Sequence, residues 1–524
     1  MRRGPLSNSY LAAVGLVVFS LVPYLGLTAA VIPLSDVIAK SLHLSTTVLY
    51  IAISVSAGAY SAGTVLAVQM AVHLPARRML VLYEGLFVVA SVLSASAPNG
   101  TVFVVAFVAQ GLCTSLMLIA AVPPLVTAWP AQKMPTTAGI MNLCIFGAVA
   151  VGPTVGAWQL MGSGWRPLFW VVAGLSFLAL VFSLLTFEDE PPLDRSSPVD
   201  LVALTLAVVG CGAAFYGAGA LQSGKSVHAS SVVPLAAGFA LLVALVIYEY
   251  RIRRPLMPVE VVATSVPVTG IFIALTTSAA AFGLMELILQ MLKTMKPAAT
   301  PAHVALLFLP EFAAAVAVAG VFGALFRTRY TPVLAMSGLL LVVASAAVLI
   351  ATMPTEGPAV AVSTGLLGLG VGASVSPALF LAGLSLPAKL LQRVFAMIEL
   401  TRGVTAFLVA PILIFLASVV GTAHDVGLKD AVWICLGIAA FGFVGCCVLY
   451  LTGRPWLEVP DLERWQGGDE DPAWSSPPLF SAVRARGNER HSRGGVVAPN
   501  VGDQVGVVSA EAVDGREELP SSHR

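Results

Sequence analysis

The chain is 524 residues long; 58% are apolar, 10% are charged, and the formal net charge is +1. A soluble domain carries roughly 25% charged residues, so this composition excludes an ordinary soluble fold, which would leave too much apolar surface facing water. The near-neutral balance, with no clustered basic face, also speaks against a nucleic-acid binder.

The predicted elements are membrane-spanning helices. A span needs about 20 predominantly apolar residues, and fourteen such runs occur. Arg2 and Arg3 precede the first, 10–32. It is too long for a signal-peptide core and no clear cleavage site follows, so it reads as a span. The next five are 48–70, 79–97, 101–126, 137–160 and 167–187. Two follow at 199–221 and 231–250, and six more at 266–291, 303–326, 331–352, 358–384, 393–420 and 430–452. The runs are continuous rather than alternating, which predicts helices and not a β-barrel. With the N-terminus in the cytoplasm, 13 loop lysines and arginines fall inside and 6 outside. The positive-inside rule therefore predicts both termini cytoplasmic, in a multi-pass protein of the plasma or inner membrane.

Polar linkers group the spans. An acidic linker containing Glu188-Asp189-Glu190-Pro191-Pro192 and a basic one with Arg251, Arg253 and Arg254 bracket the seventh and eighth. The expected organisation is a six-helix bundle over 1–190, two inserted helices with their linkers over 191–260, a second six-helix bundle over 261–453, and a tail over 454–524. The tail holds 8 basic and 12 acidic residues. It cannot bury enough apolar area to offset its chain entropy and is expected to be disordered and cytoplasmic, with Trp456, Trp465 and Trp474 holding its start at the membrane surface. All six cysteines lie in apolar runs, where they act as small hydrophobes. Their spacing suggests neither a metal site nor a disulfide frame.

Small residues punctuate the fifth span. Ala148, Gly152 and Gly156 repeat every four residues on one face, a stripe that lets a neighbouring helix approach closely. Pro153 adds a kink, tolerated where packing re-satisfies the backbone. Generic helix packing explains such a stripe by itself. Its Gly-Pro-x-x-Gly core and its position resemble the antiporter signature of major facilitator proteins, with Gly139, Ala148, Gly152, Pro153 and Gly156 at the motif positions and Ala148 the one departure. The run Gly164-Trp165-Arg166-Pro167-Leu168-Phe169, the link Tyr248 to Pro258, and Gly368-Leu369-Gly370-Val371-Gly372 are similar to elements of the fourteen-span drug:proton antiporter family. The resemblance covers roughly 10–450. It implies an all-α, two-bundle transporter fold with two extra helices, and proton-coupled efflux of small molecules.

The departures from that family are specific. The loop after the second span keeps Arg77 and Arg78, but His73 stands at the family's aspartate and Ala76 at its second glycine. The family's latch between bundles is thereby weakened, or rebuilt around Glu84, which is expected to pair with Arg77 or Arg78. Phe107 occupies the arginine position three residues before Gln110-Gly111, and Tyr24 and Ala29 occupy the first span's polar positions. The charges tied to proton coupling in the family's first half are therefore missing.

A charge in the bilayer core costs roughly 2.5–3.5 kcal/mol on insertion scales, so intramembrane ionisable groups are candidates for function. Here they are Glu286, Glu311, Glu399 and Arg402. Glu311 follows Pro310 about eight residues from a helix end, or about 12 Å deep, near the midplane where carriers bind substrate. Removal from water favours the neutral form of a carboxyl, which suits Glu311 to proton exchange. Glu399 and Arg402 are three apart on one helix face and read either as a structural ion pair or as coupling groups. Glu286, one turn before Gln290, reads as a coupling group or as a residue of the outer vestibule. Tyr24, Gln110, Asn142 and Gln290 are candidate cavity residues, although a polar residue in a span more often bonds a neighbouring helix. His73 reads as an interfacial loop residue.

No phosphate-binding Gly-rich loop, zinc-protease motif or metal-spaced cysteine pair occurs, so no enzyme activity, cofactor or metal is expected. The leading expectation is a monomeric secondary transporter that exports hydrophobic or amphipathic compounds and exchanges them for protons. A facilitator without that coupling, and a non-transporting membrane scaffold or sensor that works through its tail, are the alternatives.

Overall fold

The computed structural model describes residues 5–162, 164–186, 198–224, 226–252, 255–294, 298–353, 357–419, 424–453, 458–467 and 472–479. Fourteen of its helices are long and apolar enough to cross a membrane, as the sequence predicts. The first eight are α1 (Tyr10–Ser41), α2 (Thr46–His73), α3 (Ala76–Ser96), α4 (Gly100–Thr127), α5 (Ala131–Gln159), α6 (Arg166–Thr186), α7 (Leu201–Gln222) and α8 (Ala229–Arg251). The rest are α9 (Ser265–Thr294), α10 (Pro301–Leu325), α11 (Thr331–Thr352), α12 (Gly357–Leu384), α13 (Ala388–Val419) and α14 (Gly427–Gly453). No strand is present among the described residues.

Several helices outrun their apolar runs. α1 continues through Pro33 to Ser41, because a polar residue at the surface does not end a helix whose backbone bonds are intact. The starts of α1, α2, α4, α7 and α10 are capped by Ser9, Ser45, Asn99, Asp200 and Thr300, each accepting the backbone N–H three residues on. These caps satisfy donors that a bilayer surface would otherwise leave without a partner. α5 contains one π-helical turn, Leu143–Gly147, just after Asn142.

Two sets of helices pack among themselves. α2 packs on α4 and α7, α1 on α5 and α6, and α3 on α4 and α6. α9 packs on α12, α13 and α14, α10 on α12, and α11 on α12 and α14. The main contacts between the sets are α2 with α13 and α5 with α10. Counted within the expected six-helix groups, these join the second helix of each to the fifth of the other, a reciprocal arrangement. α7 packs on α8 and also on both α2 and α13, so it sits at the seam rather than outside it.

The small-residue stripe of α5 meets α1. A Cβ at Gly152 would stand 2.6 Å from the Ala29 Cβ and 2.7 Å from the Gly26 carbonyl. A Cβ at Gly156 would crowd Pro33 at 2.7 Å. Gly139 faces the other way, 2.9 Å from the Ala319 carbonyl of α10 by the same measure.

The tail departs from expectation where it is described. Leu462–Gln466 forms a short helix, and Trp465 and Trp474 are buried against protein. Trp465 Nε1 donates to the Leu386 carbonyl at 2.8 Å. Gln466 Nε2 donates to the carbonyls of Val126 at 3.1 Å and Trp129 at 2.9 Å. The Ala473 N–H donates to the Leu384 carbonyl at 2.8 Å. Segments 458–467 and 472–479 therefore pack on the helices: Trp465 and the backbone find hydrogen-bond partners that composition does not reveal, and Trp474 is buried. Trp456 and 480–524 lie outside the described residues.

Candidate functional site

Ionisable and polar side chains converge at the seam. Glu399 and Arg402, one turn apart on α13, form a buried ion pair in which Arg402 Nε donates to both carboxylate oxygens at 3.2 and 3.1 Å and NH2 adds a further bond. Tyr60 of α2 donates its hydroxyl to Glu399 Oε2 at 3.0 Å, and the Arg402 guanidinium stands 5.5 Å from the Phe146 ring centre of α5. Helices of both sets thus hold the pair. Buried charges persist only when paired and hydrogen-bonded in this way.

A small cavity lies beside the pair. Phe146 and Val149 of α5, Phe282 and Met285 of α9, Glu311 of α10, and Arg402 and Phe407 of α13 line it. Glu311 is 5% exposed, and its Oε2 has no hydrogen-bond partner among the described residues. Gly368 of α12 lets α10 approach here, since its Cβ would stand 3.0 Å from the Glu311 Cα.

A second small cavity is lined by Tyr24 and Thr28 of α1, Tyr50 of α2, Gln222 of α7 and Glu286 of α9. Gln222 Nε2 donates to Glu286 Oε2 at 3.4 Å. Beyond it, Lys293 Nζ donates to the Ile32 carbonyl and to Ser35 Oγ, both at 3.3 Å, and stands 3.8 Å from Asp36. This bridge joins α9 to α1 and defines one end of the molecule. The opposite end carries Trp129, packed on Tyr10 at 5.4 Å and bonded by Gln466.

The structure brings together most, but not all, of the predicted site residues. Glu311, Arg402, Glu286 and Tyr24 line the two cavities. Tyr24 hydrogen-bonds Ser56 at 2.7 Å. Gln110 is turned away instead: Ser94 donates to it at 3.3 Å and it donates to Ser91 at 2.9 Å, so its amide ties α4 to α3. Asn142 donates to the Gly372 carbonyl at 3.0 Å and joins α5 to α12, leaving Oδ1 without a partner. Gln290, half-buried, lines neither cavity.

The loop residues also differ from expectation. Glu84 is fully buried and accepts a hydrogen bond from Ser20 of α1; it does not pair with the arginines. Arg77 and Arg78 precede it by about two helical turns, roughly 10 Å, beyond ion-pair reach. Arg77 donates to the Leu184 carbonyl at 3.1 Å, Arg78 is exposed, and His73 bonds Gln69. Among described residues no group of three or more His, Cys, Asp or Glu is placed to hold a metal.

Sequence reasoning did not find Tyr60, Gln222, Phe282 or Phe407. Tyr60 was the most findable, a lone bulky polar ring in a run of Ser, Ala and Gly. Gln222 was hidden by lying in a helix pair that reads as an insertion.

Comparison with known proteins agrees with this architecture. The multidrug resistance protein Stp of Mycobacterium tuberculosis (strain H37Rv) is 28% identical over 320 residues, 60% of this chain and 58% of that protein. The lincomycin resistance protein LmrB of Bacillus subtilis (strain 168) is 25% identical over 167 residues, 32% of this chain and 35% of that one. The matched stretches thus span between a third and three fifths of these relatives. The crystal structure of the human organic anion transporter MFSD10 (TETRAN) superposes with a TM-score of 0.56 at 11% identity, covering 84% of this chain and 99% of that one, a likeness of fold. The family profile of the Major Facilitator Superfamily matches residues 16–410, three quarters of the sequence, and the chain belongs to that superfamily.

Proposed function

We propose that the chain is a secondary active transporter that exports small hydrophobic or amphipathic organic molecules by alternating access, in exchange for protons. The observation that carries this reading is Glu311: a buried carboxyl with one oxygen unpartnered, in a mostly apolar cavity walled by both helix sets. Such a group is stable there when it carries a proton, and it becomes an exchange site if the cavity opens to either side in turn. The apolar walls suit an apolar substrate body. The names of Stp and LmrB point to toxic compounds as the first to try. In this reading the protein works as a monomer in the plasma or inner membrane with both termini in the cytoplasm, and it has a 6 + 2 + 6 division into domains. It uses no nucleic acid, metal or cofactor. Glu399 and Arg402 serve as a structural pair, and Glu286 serves the outer vestibule.

Growth inhibition by a panel including lincomycin, in cells with and without the gene, identifies a transported compound. In proteoliposomes, Glu311→Gln is expected to abolish its pH-gradient-driven movement while downhill exchange persists. Gradient-driven movement at the unmodified rate would show that Glu311 does not couple.

The uncoupled facilitator remains a second reading because a specific feature favours it. At the family's first-half polar positions the rings of Tyr24 and Phe107 pack on one another, with centres 6.1 Å apart, and Ala29 is buried. Flux in the unmodified protein that ignores an imposed pH gradient would select that reading.

A further inference from the structure

The two cavities have two lining side chains in common, Phe282 of α9 and Phe407 of α13. Their rings meet edge to face with centres 4.7 Å apart. One chamber contains Glu286, the other Glu311 and Arg402. The wall is anchored on its Phe407 flank. Phe407 also packs edge-on against Tyr60, 6.4 Å between centres, and Tyr60 is bonded to Glu399. Phe282 lies one helical turn before Glu286.

We propose that Phe282 and Phe407 form a partition that sets the cross-section of the molecules able to pass between the chambers. The inference rests on the transporter reading for its meaning, but its geometry and its test do not. Both rings sit on helices of one packed set, so the partition is not opened simply by separating the two sets. A ring must swing aside and give up its edge-to-face contact, which favours slender molecules about one ring across over bulky ones.

The test uses the full chain in liposomes and needs neither substrate nor proton gradient. Ala315→Cys places a thiol in the Glu311 chamber, and Thr28→Cys places one in the Glu286 chamber. Membrane-impermeant methanethiosulfonates, one small and one bulky, are added from the Lys293 end, and labelling at each position is read by mass spectrometry. At position 315 the bulky reagent should lag the small one. Phe282→Ala or Phe407→Ala should speed the bulky reagent by up to about tenfold, the Boltzmann equivalent of a strong aromatic pair. Phe407→Tyr, which keeps the ring, should preserve the lag. The same size ratio at position 315 in both alanine variants would overturn the proposal. So would an equal lag at position 28 in a Lys293→Met background, where the bridge at that end is removed; it would put the barrier outside the pair. Loss of proton coupling in Glu311→Gln moves neither readout, so failure of the transport reading and failure of the partition are distinguishable.

A separate observation carries a second inference, about the Trp129 end. Gln69 and Arg77, around the loop after α2, bond to Asp200 and Leu184, within the first eight helices. The stretches 461–467 and 472–478 instead reach both sets. Gln466 bonds the end of α4 at Val126 and Trp129, and Gln132 bonds Glu463 at 3.1 Å. On the other side Trp465 bonds Leu386, Ala473 bonds Leu384, and the Ser265 N–H bonds the Pro477 carbonyl at 3.0 Å. Neighbouring residues, Trp465 and Gln466, thus tie opposite helix sets together. We infer that these two stretches form a clamp that holds the Trp129 end closed and must release before the end opens.

Spin labels at Thr127→Cys and Arg327→Cys, with Cys447→Ser, report the separation of that end by pulsed electron resonance in the full chain. Trp465→Ala combined with Gln466→Ala is expected to enlarge the long-distance population by about tenfold or more, as the loss of three hydrogen bonds requires. A distribution identical to that of the unsubstituted tail would overturn the clamp. Both substitutions lie outside every span, so the helix bundle itself is untouched.

Discussion

The interaction of Glu399, Arg402 and Tyr60 sets a clear expectation for single residues. Removing one partner of a buried ion pair strands the other, at about 3–5 kcal/mol, whereas replacing both with apolar groups of similar volume is often neutral. Arg402→Met should therefore lower the midpoint of thermal unfolding in detergent sharply, and Glu399→Gln with Arg402→Met should recover most of that loss. A double variant as unstable as Arg402→Met would mean that the guanidinium contributes through its packing on Phe146 rather than through its charge. At this scale the sequence was informative wherever a charge interrupts an apolar run, because the bilayer makes such a charge costly. Glu286, Glu311, Glu399 and Arg402 were found in that way, and all four are buried. Uncharged partners leave no such mark, so Tyr60 and Gln222 went unseen. Nearness in sequence points Glu84 to Arg77 or Arg78, whereas the helix turns it toward Ser20 of α1.

Helices are where the sequence was most legible. Fourteen apolar runs became fourteen helices, since a spanning backbone must satisfy its hydrogen bonds within the segment. What could not be read was which helix meets which. An apolar run shows that a helix is covered, not by what, and so α7 at the seam and the π-turn after Asn142 were invisible. The glycines give a testable case. On α5, Gly152 is pressed on Ala29 and Gly26 of α1; on α12, Gly368 is pressed on the Glu311 backbone of α10. Added side chains at such contacts typically cost about 1–3 kcal/mol through overpacking. Gly152→Leu should lower the unfolding midpoint with little change in Glu311's surroundings. Gly368→Val should also shift α10, so thiol labelling at Ala315→Cys should change in Gly368→Val and not in Gly152→Leu. Equal labelling in both would mean that the α10–α12 contact does not position the cavity.

Over the whole molecule, the seam is bridged at both ends, and the two bridges differ in kind. At the Trp129 end a segment of the tail lies across both helix sets, and Gln392 of α13 donates to the Ile119 carbonyl of α4 at 3.1 Å. At the Lys293 end one ammonium group does much of the joining, to a backbone carbonyl and a hydroxyl of α1 as well as to Asp36. Side-chain exposure is 31% for Lys293 and 59% for Asp36, and an ion pair so open to water contributes about 0–1 kcal/mol. The less exposed bonds to Ile32 and Ser35 should therefore carry most of the closure. Lys293→Met is expected to raise labelling at Thr28→Cys from that end severalfold, consistent with the loss of two long, part-buried hydrogen bonds of about 0.5 kcal/mol each. Asp36→Asn should leave labelling within about twofold of the parent, as a weak exposed pair requires. If Asp36→Asn instead matched Lys293→Met, long-range charge rather than contact with the α1 backbone would hold this end shut. Its closure would then weaken as salt is raised to about 1 M, where screening shortens to about 3 Å; closure by backbone contact should tolerate the same salt.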